Sequence, residues 1–61
     1  MQSMTHSELN SIREVVTSHV TMANKLNDYA DKVNDGSIRQ MFTQAASQAH
    51  QSAQNLISML W

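Results

Sequence analysis

From Leu9 to Val33 the chain sets Leu9, Ile12, Val16, His19, Ala23, Leu26, Ala30 and Val33 at steps of 3, 4, 3, 4, 3, 4 and 3. Only a helix whose one face is covered along its whole length uses such spacing, because 3.6 residues per turn bring positions three and four apart onto one stripe. A second row, Val15, Met22 and Tyr29, repeats every seven residues beside the first. The apolar arc is thus wider than a two-stranded coiled coil requires, and such width calls for two neighbours, as in a bundle.

The second half repeats the pattern. Ile38, Phe42, Ala45, Ala49, Ser52, Leu56 and Met59 are spaced 4, 3, 4, 3, 4 and 3, with Ala46, Ala53 and Leu60 alongside and His50 and Ile57 nearby. Between the halves stands Asn34-Asp35-Gly36-Ser37, which holds the single glycine. Asn and Gly tolerate the left-handed backbone that ends helices, and Asp35 or Ser37 can cap the second helix. At the start, Thr5-His6-Ser7-Glu8 has the Thr-x-x-Glu spacing of a capping box, with Ser7 as a competing cap. The spacing therefore predicts helix 1 over about 6–33, a turn at 34–37 and helix 2 over about 38–60, in one domain without linkers.

A turn this short between long helices folds them into an antiparallel hairpin. Each arm carries one apolar row for its hairpin partner and another left over. Two hairpins are expected to dock as a two-fold homodimer, an all-α, ferritin-like four-helix bundle. Composition agrees. Six alanines, no proline and no cysteine in 61 residues suit helices and exclude disulfides, thiolate metal sites and a cysteine nucleophile. A chain so short is marginal alone, and a partner chain is one remedy. A net charge of −1 leaves no electrostatic footprint for nucleic acid or anionic lipid. No apolar run nears the roughly 20 residues of a membrane span. The start, Met1-Gln2-Ser3-Met4, shows no signal peptide, so the chain is expected to be made in the cytoplasm.

Each candidate site competes with ordinary packing. A di-iron centre needs inward carboxylates, yet Glu14, Asp28 and Asp35 fall opposite the seam, Asp31 just off that outer face and Glu8 at the helix start. Ser47 stands where Glu would precede His50 in a Glu-x-x-His pair. His19 sits in the seam, at the level of Ser52 or Ala53 and within a turn of His50. It serves either as a neutral histidine bonded to Ser52 or to a backbone carbonyl, or as half of a His19–His50 metal pair or pH switch. Met22, Met41 and Met59 lie on apolar rows and read as packing rather than a copper site. Ser, His and acid residues lack the pocket and oxyanion hole a nucleophilic triad needs. No enzymatic activity, metal or cofactor is expected. The predicted interface is Leu9, Ile12, Val15, Val16, His19, Met22, Ala23, Leu26, Phe42, Ala45, Ala49, Ala53, Leu56, Ile57, Leu60 and Trp61, the last either capping the bundle end or anchoring another subunit.

The stretch Glu8-Leu9, His19-Val20-Thr21-Met22-Ala23-Asn24-Lys25-Leu26, Tyr29-Ala30, the Asn34-Asp35-Gly36 turn, Ile38-Arg39-Gln40-Met41-Phe42 and the late His50 resembles the spore coat protein F family of endospore-forming bacteria. The resemblance spans about residues 8–60. It implies a ferritin-like hairpin, a structural role in the spore coat or on the spore surface, and no established catalysis. This chain carries one hairpin where larger relatives carry two. The expected partners are further copies of the chain and, in a second reading, another coat component for which it acts as adaptor.

Overall fold

A computed structural model describes residues 4–60. Two helices, α1 (His6–Lys32) and α2 (Gly36–Ser58), run antiparallel and pack along their length, giving a hairpin with Cα extents of 47 × 15 × 10 Å. No strand occurs among the described residues. Neither helix is long and apolar enough to cross a membrane.

Both helix starts are fixed by side chains. Thr5 caps α1: Glu8 N–H donates to Thr5 Oγ1 at 3.1 Å, and Thr5 N–H donates to Glu8 Oε1 at 2.8 Å. The two bonds satisfy two donors that a helix start leaves without intrahelical partners. The same backbone N–H, with the Thr5 hydroxyl, holds the Glu8 carboxyl below its ordinary value. Asp35 caps α2, its Oδ1 accepting from the Ser37 hydroxyl at 2.6 Å, Ser37 N–H at 2.9 Å and Ile38 N–H at 3.1 Å. Those donors, the Ser37 hydroxyl first, lower the Asp35 pKa as well. Beyond Ser58, α2 closes with a tighter turn in which Met59 N–H donates to the Leu56 carbonyl and Leu60 N–H to that of Ile57.

The connection differs from the expected one. No described residue, Gly36 included, has positive φ. The chain reverses through Val33, Asn34 and Asp35, with Val33 at φ −94°, ψ 143° and Asp35 at φ −75°, ψ 122°, both extended. Gly36 is already the first residue of α2, so helix 2 begins two residues before the expected 38. Arg39 reaches back across the turn, its Nη2 donating to the Val33 carbonyl at 2.9 Å. An extended pair tied by Asp35 and Arg39 thus replaces the left-handed glycine.

The fully buried side chains are alanines alone among the described residues: Ala23, Ala30, Ala46, Ala49 and Ala53. Ala23 packs on Ala46 and Ala49 with Leu26 against them. Small side chains at the crossing let two helices approach at the short end of the roughly 8–10 Å range, where backbone as well as side-chain atoms make contact. Toward the turn, the Tyr29 and Phe42 rings meet at 5.9 Å between centroids, tilted by 47°. These pairs set the register: each residue of α1 lies at the height of the α2 residue whose number, added to its own, makes about 71. His19 then falls level with Ser52, as expected.

On α1 the expected seam row is the observed one, every member from Leu9 to Val33 being half-buried or buried. On α2 the stripe is rotated. It runs Phe42, Ala46, Ala49, Ala53, Leu56 and Leu60, with steps 4, 3, 4, 3 and 4. Ile38 and Met59, expected in the seam, are each 45% exposed, whereas Ala46, expected in the spare row, is 2% exposed.

Candidate functional site

The rotation of α2 decides what the hairpin leaves uncovered. Val15, Met22 and Tyr29 each precede a seam residue of α1, namely Val16, Ala23 and Ala30. On α2, Met41, Ala45, Ser52 and Met59 likewise precede the seam residues Phe42, Ala46, Ala53 and Leu60, and Ile38 lies seven residues before Ala45. One step back turns about 100° around either helix. Reversing the chain direction reverses the sense of that turn, and facing the opposite neighbour reverses it again. Both "preceding" rows therefore emerge on the same broad side of the hairpin.

Val15, Met22, Tyr29, Ile38, Met41 and Met59, the large apolar side chains found exposed, are 42% to 68% accessible, and all six lie on that side. Between them on α2 stand the small, half-buried Ala45 and Ser52. The face thus has a ridge on α1 and, on α2, a low middle at Ala45 and Ser52 between Ile38 and Met41 toward the turn and Met59 toward the other end. No charged side chain interrupts the rows from Val15 to Tyr29 or from Ile38 to Met59, and the exposed Lys25 and Lys32, which precede the seam residues Leu26 and Val33, border the same side as Met41 does on α2. The opposite side, made by the residues that come just after seam positions, carries Arg13, Val20 and Asn27 on α1 with Gly36, Thr43, His50 and Ile57 on α2.

The predicted interface residues divide accordingly. Leu9, Ile12, Val16, His19, Ala23, Leu26, Phe42, Ala49, Ala53, Leu56 and Leu60 belong to the seam within the hairpin. Val15, Met22 and Ala45 belong to the apolar face, and Ile57 to the side opposite. Trp61 lies outside the described residues. Tyr29, Ile38, Met41 and Met59 belong to the face but are absent from the predicted interface. The seven-residue repeat of Val15, Met22 and Tyr29 is a visible signal for the first of these. For the other three the signal is ambiguous, since rows through Ala45 and Ala46 are equally apolar.

His19 is half-buried, and its Nδ1 lies 2.8 Å from the Val15 carbonyl one turn earlier. A carbonyl oxygen only accepts, so Nδ1–H donates. His50 is exposed and comes just after the seam residue Ala49, on the side opposite the apolar face. Among the described residues no three His, Asp or Glu side chains gather as a metal site would require. Glu8, Glu14, Asp28, Asp31 and Asp35 are all exposed. A shallow open depression lined by Arg13, Glu14, Thr17 and Ser18 lies on α1 alone and contains no histidine. Compared with protein-family models, curated proteins and solved structures, the chain matches none.

Proposed function

We propose that the chain is a structural protein that acts by self-association: hairpins pair into a four-helix homodimer, and the dimers build an ordered layer. The observation that carries this reading is the segregation of side chains. The buried positions of the seam are all alanine, while the six large exposed apolar residues are gathered on one side. Apolar surface is costly to leave in water, and burying a medium-sized side chain contributes roughly 1.5–3 kcal/mol. Monomers rarely keep so much of it in one patch unless a partner covers it.

The chemistry around the face supports a packing role. Where charged residues make up 15% of the chain and the net charge is −1, long-range repulsion between copies is weak. The outer surface is dominated by Ser, Thr, Asn and Gln, which suits contacts between dimers through many neutral hydrogen bonds. The resemblance of residues 8–60 to spore coat proteins supplies a setting, the spore coat or spore surface, in which a protein is needed as building material rather than as a catalyst.

Sedimentation followed by electron microscopy of the concentrated pure protein tests the reading. Dimers that order into arrays are expected. Dimers that stay dispersed at every concentration would replace the layer-forming role with an adaptor role toward another coat component. A stable monomer at micromolar concentration would overturn the proposal.

A further inference from the structure

Resting on that self-association, we infer that the second copy docks on the apolar face about a two-fold axis parallel to the helices, with both turns at one end and each α1 lying on the partner's α2. Size favours a copy of the chain as the occupant. A side of 47 by 15 Å offers about 700 Å², close to the roughly 800 Å² per partner of a stable interface. Chemistry favours it too, since the central rows carry no charge and the bordering Lys25 and Lys32 stand at the edge of the contact, not within it.

Two closed arrangements can put this face on itself. An axis across the helices stacks α1 on α1 and α2 on α2, with turns at opposite ends. It sets ridge on ridge, and at full overlap of α1, whose middle is residue 19, Val15 meets Met22. An axis along the helices sets each ridge on the partner's strip and leaves every height unchanged. Met22 is level with position 49, midway between Ala45 and Ser52. Val15 is level with position 56, midway between Ser52 and Met59, and Tyr29 with position 42, midway between Ile38 and Ala45. Three knobs thus meet three gaps without any sliding: Met22 enters between the small Ala45 and Ser52, and Val15 and Tyr29 each enter beside one small and one large neighbour.

The chain has no cysteine, so a single spin label reads the geometry directly. Asn34→Cys places a label on an exposed residue of the turn, and pulsed electron resonance then measures the distance between labels in the dimer. With helices packed about 10 Å apart, turns at one end put the labels within about 30 Å. Turns at opposite ends separate them by the hairpin length, about 47 Å or more, and that result overturns the arrangement while leaving the dimer intact. A monomer mass with no inter-label distance would overturn the self-association beneath it. Ser7→Cys, exposed at the α1 start and so at the other end, must give the same answer, which guards against a local effect of either label.

Discussion

The two broad sides of the hairpin share one seam and one pair of helices, yet they differ in kind. One side holds Val15, Met22, Tyr29, Ile38, Met41 and Met59; the other holds Arg13, Asn27, Thr43 and His50, with Val20 and Ile57 as its larger apolar members. Helix propensity cannot produce that difference, since both sides are cut from the same helices. It comes from where apolar residues fall relative to the seam: one position before it on the first side, one position after it on the second. The hairpin therefore closes on a few buried alanines in its seam, and its large, exposed apolar residues stand beside that seam on one side.

The hardest blow to the comparison is struck at the stripe on which both sides depend. Ala23 is wholly buried between Ala46 and Ala49. Ala23→Glu pushes a carboxylate into a close crossing with no lysine or arginine in the seam beside it, at a cost on the order of 3–5 kcal/mol. A 61-residue hairpin has little stability in reserve, so circular dichroism at 25 °C is expected to show loss of most helical signal. Full helicity in this variant would contradict the seam assignment, and with it the division into two sides.

A sharper cut separates the sides themselves. Met22→Glu with Tyr29→Glu places two carboxylates in the apolar face, where symmetry doubles them across the contact. Dimer dissociation is expected to rise at least about 100-fold, which corresponds to about 2.8 kcal/mol. Thr43→Glu with His50→Glu makes the matching change on the opposite side and is expected to alter dissociation by less than about twofold. Sedimentation equilibrium reads both. Equal loss in the two double variants would mean that the sides do not differ in function.

Much of this architecture is legible in the sequence. The α1 seam, the capping box at Thr5 and Glu8, the cap at Asp35 and the level of His19 against Ser52 all come from spacing and local chemistry. The rotation of α2 does not. Ala45 and Ala46 are neighbours of equal size, so periodicity allows either row to face α1, and only the path of the turn chooses. That path depends on extended Val33 and Asp35 and on Arg39 reaching the Val33 carbonyl, none of which leaves a repeating pattern. The single glycine suggests left-handed backbone, while the hydrogen bonds of Asp35 make such backbone unnecessary.

The smallest effect tests the side that is expected to stay uncovered. Gly36 opens α2 without positive φ, and a Cβ built there meets nothing within 4 Å. It lies seven residues before Thr43, in the row just after the seam, and so belongs to the polar side. Gly36→Ala removes freedom from the unfolded chain without strain in the folded one, and a gain of about 0.4–1 kcal/mol is expected. For a domain of this size that raises the melting temperature by about 2–8 °C. The methyl group points away from the apolar face, so the stability gain should leave the dimer dissociation constant unchanged. A lower melting temperature would mean that the backbone at 36 must leave the helical region. A changed dissociation constant with the stability gain intact would bring the polar side into the contact and remove the distinction between the two faces.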